Sequence, residues 1–109
     1  MNGSIQEKEP DLLKYKGMLK SMVRAKQSNL KELIAHSNNH VIRVISEIAL
    51  NVIKGIIPLT KNEIENLRKW KPYIKKLISI SLGVNKKREM LLKNTKLVKI
   101  ILKPLLDVI

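Results

Sequence analysis

One hundred and nine residues, 44% of them apolar, make one small domain with a modest core and no room for a second. One tryptophan, two tyrosines and no phenylalanine leave Leu, Ile and Val to fill that core, and the absence of cysteine excludes a disulfide framework. Twenty-two lysines and arginines against nine acids give a formal net charge of +13, which points to a polyanionic partner.

Residues 1–10 read as a flexible polar N-terminus and residues 11–109 as a single helical domain. From Asp11 an amphipathic helix is predicted to about Ala25, with Leu12, Leu13, Met18, Leu19, Met22 and Val23 on one face. Lys14, Lys16, Lys20 and Arg24 fall largely outside that face, and Gly17 weakens the helix without ending it. Ser28 or Asn29 is expected to cap a short second helix, since Asn29 has Glu32 in the capping-box position. Ser37-Asn38-Asn39 then stops this helix and caps the next.

The central element is expected at about residues 40–54. Apolar residues at 41, 44, 45, 48, 49, 52 and 53 have helical spacing, and Arg43, Glu47, Asn51 and Lys54 form a narrow polar stripe. So apolar a helix needs cover on most sides, and it is read as the buried helix around which an all-α bundle of five or six short helices assembles. Gly55 is placed to cap its C-terminus, and Ile56-Ile57-Pro58-Leu59 should tuck under the bundle.

Thr60 and Glu63 spell a capping box. The helix it opens has Ile64, Leu67, Trp70, Ile74, Leu77 and Ile78 on one face, with a kink or restart expected at Pro72. After a turn at Ser81-Leu82-Gly83-Val84, Asn85 is expected to cap a very basic helix with Met90, Leu91 and Leu92 inside. Asn94-Thr95 breaks it, and Lys96 to Leu102 reads as a last helix before Pro104 and an apolar end at Leu105-Leu106-Asp107-Val108-Ile109.

Charge is uneven along this order. Residues 1–55 hold nine bases and five acids, residues 56–109 thirteen and four, and from Arg68 to Lys103 twelve bases meet the single acid Glu89. Mixed charge is what keeps a solvated helix face from repelling itself, so a run this one-sided costs stability unless a polyanion relieves it. The candidate contact residues are Arg68, Lys69, Lys71, Lys75, Lys76, Lys86, Lys87, Arg88, Lys93 and Lys96, in the basic half at residues 60–103. Lysine dominates them, which favours phosphate contacts that position a protein over the arginine and asparagine pairs that read bases. DNA is the expected partner and RNA the alternative. Trp70 and Tyr73 interleave these bases and suit stacking on unpaired nucleotides, although Trp70 also fits the apolar face and is read as core.

Signals of catalysis are missing. His36 and His40 stand four apart across a helix boundary with no third ligand at metal spacing, and read as turn or capping residues. Glu63 and Glu65 sit at a helix start, where the dipole explains them. Gly3, Gly17, Gly55 and Gly83 are scattered and form no phosphate loop. A non-enzymatic protein without metal or cofactor is therefore expected. The first ten residues lack a basic start followed by an apolar run, and apolar stretches are broken by lysine before the roughly 20 residues that span a bilayer. Solubility and an intracellular setting follow as expectations. One segment supports a membrane alternative: Leu97, Val98, Ile100, Ile101 and Leu102, fringed by Lys96, Lys99 and Lys103, have the pattern of an interfacial helix within residues 95–109. A helix docked on the core has the same pattern.

The run Ala49-Leu50-Asn51-Val52-Ile53-Lys54-Gly55, then Pro58-Leu59-Thr60, Leu67-Arg68-Lys69 and Tyr73-Ile74-Lys75-Lys76-Leu77, resembles a small basic protein of Maverick/Polinton-type mobile elements and adintoviruses. Val84-Asn85-Lys86-Lys87-Arg88, Leu91-Leu92 and the Pro-Leu-Leu ending are similar too, so residues 38–109 are covered. Where the family has a Lys-Gly-Gly turn before its apolar tail, this chain has Lys93-Asn94-Thr95. The resemblance implies a helical, basic accessory or virion-core protein of adenovirus-like elements, with nucleus or virion as its setting. Genome condensation through sequence-independent DNA binding is the function that this and the charge together lead us to expect. A membrane-active accessory protein, an RNA-binding protein and a protein-interaction module are the alternatives.

Overall fold

The computed structural model describes residues 12–106, and among them six helices follow one another with no strand. They are α1 (Leu12–Arg24), α2 (Gln27–His36), α3 (Asn39–Ile53), α4 (Lys61–Leu77), α5 (Val84–Lys93) and α6 (Thr95–Leu106). The expected flexible N-terminus, the start at Asp11, the end at Asp107-Val108-Ile109 and the side chains of Leu12 and Leu13 lie outside the described residues.

The hub helix α3 is where the periodicity places it. Val41, Val44, Ile45, Ile48, Ala49 and Val52 are buried, as are Ile42 and Ser46, while Arg43 and Glu47 face solvent. Asn38 caps it, its Oδ1 accepting from the Val41 amide at 2.9 Å. At the far end the Ile56 amide donates to Asn51 O at 3.0 Å and the Gly55 amide to Val52 O at 3.2 Å. These two bonds are the Schellman pattern, and Gly55 supplies the positive φ of 76° that it requires. Of the apolar turn that follows, Ile57 is buried and Leu59 half-buried, but Ile56 is 65% exposed.

A second hub stands beside the first. Helix α6 packs against every other helix and most extensively against α3. Leu97, Val98, Ile101, Leu102 and Leu105 are buried in the core, each worth about 1.5–3 kcal/mol of transfer from water. That packing carries the helix past its expected end at Leu102 and through Pro104 to Leu106. Helix α4 likewise passes through Pro72 as one helix, with no restart. A proline in a helix interior costs about 3 kcal/mol. Leu67 and Trp70 before it and Ile74 and Leu77 after it all lie on the core, and this shared face holds both halves in register. No helix among the described residues is long and apolar enough to cross a membrane.

Capping departs from expectation at two helices. Neither Ser28 nor Asn29 caps α2; it starts at Gln27, with Lys26 in the cap position and no side-chain bond. The connection from α1 is only two residues long, so the helix must begin early, and the Ala25 carbonyl accepts from Lys99 Nζ. Asn85 does not cap α5 either, because Val84, half-buried against the core, already forms its first residue behind Gly83. The Thr60–Glu63 capping box is present in full, at 2.8 and 3.2 Å.

Buried polar groups tie the helices across the bundle. Ser46 Oγ on α3 donates to the Leu77 carbonyl at the end of α4, at 3.0 Å. Among the described residues no buried side-chain nitrogen or oxygen lacks a partner.

Candidate nucleic-acid interface

The outer face of α4 follows from spacing. Arg68 and Lys75 are seven residues apart, as are Lys69 and Lys76, and two helical turns separate each pair by about 10 Å along one face. All four are exposed, and so is Lys71. The opposite face holds the helix down through Leu67, Trp70, Ile74 and Leu77.

None of the ten predicted cations forms an ion pair with a carboxylate among the described residues. Glu65 lies one turn ahead of Arg68 and Lys69 and pairs with neither. The helix dipole favours Lys75 and Lys76, which stand in the last turn. It gives no such account of Arg68, Lys69 and Lys71. Lys71 and Lys75 are like charges at i, i+4, which disfavours the isolated helix by a few tenths of a kcal/mol.

The second basic segment divides. Lys86 and Lys93 of α5 and Lys96 of α6 are exposed, on two helices that both pack against α4. Lys87 is half-buried in a cleft against α3. Its burial, and secondarily the nearby Arg43 guanidinium, push its ammonium below the usual lysine range.

Arg88 is the clearest departure from the predicted set. Its Nη1 donates to Ile34 O at 2.6 Å, Ser37 O at 2.7 Å and Ser37 Oγ at 3.1 Å, and its Nη2 to Asn39 Oδ1 at 2.8 Å. The guanidinium is thus occupied at the joint between α2 and α3, where Ile34 and Ser37 carbonyls have run out of helix. A phosphate contact by Arg88 would compete with that joint, and we remove it from the interface. A signal was present in the sequence: Arg88 is the one arginine among Lys86, Lys87, Lys93 and Lys96, and only the guanidinium fork reaches several acceptors at once. Lys99, whose bond to Ala25 O pins the α1–α2 joint, carries no comparable signal.

The aromatic pair also divides. Trp70 is half-buried against the core, and Tyr73, 40% exposed, leans on it with ring centroids 5.5 Å apart and planes at 53°. Tyr73 alone offers an open ring edge on the basic helix. Of the two histidines, His36 Nε2 lies 3.1 Å from Glu32 Oε2 one turn back, and the His40 ring rests 5.6 Å from that of Tyr15. No protein-family model, curated protein or solved structure matches the chain.

Proposed function

We propose that the protein binds DNA through its phosphates, without reading sequence, along the outer face of α4 extended by Lys86, Lys93 and Lys96. The observation that carries this reading is the five exposed cations of α4, Arg68, Lys69, Lys71, Lys75 and Lys76, with no carboxylate partner among the described residues. Unpaired cations at this density raise the local concentration of a polyanion and are neutralised by it. Their α4 backbone is held by a buried face and a complete capping box, so the charges are presented on a firm support. The resemblance to proteins of Maverick/Polinton-type elements supports condensation of a viral or mobile-element genome as the setting.

Of the apolar side chains that would serve a membrane-inserting tail, Leu97, Val98, Ile101 and Leu102 are in the core on α6 and Ile100 is half-buried, which favours the nucleic-acid reading over the membrane one. Mobility shifts on unrelated duplexes test the proposal. With about six phosphate contacts, affinity falls by about 10³-fold between roughly 50 and 200 mM salt and differs little between sequences. A strong preference for one duplex, or binding that salt leaves unchanged, would overturn it; preference for a double-stranded RNA of the same length would move the partner to RNA.

A further inference from the structure

Between α3 and the first turn of α5, bounded by the turn that joins α4 to α5, lies a cleft of about 530 Å³. That is within the range of small-molecule sites. Its lining has a charged end and an apolar end. On α3, Arg43 and Leu50 stand two turns apart, about 10 Å along the axis, with the adjacent Ser46 and Glu47 between them. Lys87 lies near Arg43, close enough for the guanidinium to disfavour its ammonium. Ile78, Ile80, Leu82 and Val84 supply apolar wall.

Three features are unexplained by folding alone. Neither Arg43, exposed on α3, nor Lys87, half-buried on α5, forms an ion pair among the described residues, so two cations line the cleft with no carboxylate bonded to either. Ile80, on the bounding turn, is fully exposed to water, although that turn is fixed by a 2.9 Å bond between the Ser79 and Ser81 hydroxyls. Glu47 is the one carboxylate among the described residues of the lining, so the three charged groups described there sum to +1. An ion with one negative charge balances that sum, and an apolar chain attached to it would cover Ile80.

We propose that this cleft binds a single-chain amphiphile with a monoanionic head, a fatty carboxylate, its head on Arg43 and Lys87 and its chain along Leu50, Ile78, Ile80 and Leu82. The Ser46 hydroxyl is held by the Leu77 carbonyl, leaving the head group to the two cations. This site does not rest on the nucleic-acid reading, since none of the α4 cations lines it.

Titration of the full chain with decanoate below its micelle concentration, followed at the isoleucine and valine methyl resonances, is the test. Saturable one-to-one binding is expected, with the largest shifts at Ile78, Ile80 and Val84. Decanol, inorganic phosphate and acetate should each bind at least tenfold more weakly. Arg43→Gln and Lys87→Gln should each weaken decanoate about tenfold or more; both residues lie at the surface or half-buried, so the variants keep the fold. Ile80→Ser, at a position with no packing to lose, should weaken decanoate and leave acetate unchanged. Equal affinity for decanol would remove the head-group site, and equal affinity for phosphate or acetate would remove the chain site. Decanoate affinity unmoved in all three variants would reduce the effect to surface adsorption and overturn the proposal.

Discussion

Arg88 Nη1 donates to the Ile34 carbonyl at 2.6 Å, joining residues 54 apart in the chain. With the bonds to Ser37 and Asn39, one guanidinium closes the end of α2 and braces the start of α3. The third basic residue of a Lys-Lys-Arg run therefore works inside the fold while its neighbours do not.

Removing it should unfold the joint first. Arg88→Ala leaves the Ile34 and Ser37 carbonyls short of a charged donor, a loss of about 2–3 kcal/mol. In a domain of this size that lowers the melting temperature by roughly 10 °C or more. Arg88→Lys should recover only part of it, because one ammonium cannot reach acceptors on two segments in the fork's geometry. Thermal melts of the two variants check this. If both melt as the parent does while DNA affinity drops as it does for Lys86→Gln, Arg88 belongs to the interface after all.

Two glycines should respond with opposite signs. Gly55 has φ 76° and open space where a side chain would stand, so Gly55→Ala is penalised only by conformation, by about 1 kcal/mol or slightly more. Gly17 lies inside α1, also with open space around it, and Gly17→Ala should stabilise by roughly 0.5–1 kcal/mol. Denaturant midpoints of the pair would settle it; a stabilised Gly55→Ala would mean that the Schellman turn is not kept in solution.

What the sequence carried was local. Periodicity found α3, the Thr60–Glu63 box and the Gly55 cap because each is decided by residues a few positions apart. It misplaced the N-caps of α2 and α5, allowed a restart at Pro72 where α4 runs on as one helix, and ended α6 before Pro104; packing from distant segments bears on these places, since Lys99 reaches back to Ala25 and the core faces of α4 and α6 hold both prolines in helix. The exposed α4 cations were legible as an unbalanced run of charge. Arg88 stood apart from its lysine neighbours only by its guanidinium, and Lys87 by nothing, since what distinguishes each is the neighbouring helix it faces.

The α4 face should carry most of the DNA affinity. Changing Arg68, Lys69, Lys75 and Lys76 to Gln should flatten the salt dependence by about three to four units of logarithmic slope, about 0.9 for each phosphate that is no longer neutralised. Changing the exposed Lys14, Lys26 and Lys31 should matter little. The α4 variant should melt no lower than the parent, because its side chains leave a like-charged surface and not the core. Equal slopes for the two sets would show that bulk charge alone drives binding.

The final prediction sets nucleic-acid binding against a membrane role at α6. The helix buries Leu97, Val98, Ile101, Leu102 and Leu105 and packs against every other helix, so its apolar face is already occupied in the folded protein. Ile101→Ala should therefore cost about 2–5 kcal/mol, and deletion of residues 95–109 should abolish the cooperative melt and expose dye-binding surface. The intact protein should cause little leakage from anionic vesicles: its lysines draw it to the headgroups, but insertion of α6 would require the core to open first. An unaltered melt for the deletion, together with full leakage by the intact protein, would make the membrane the site of action. A lost melt with no leakage leaves α6 as the second hub on which the α4 cations depend for their presentation, since α4 packs directly against it.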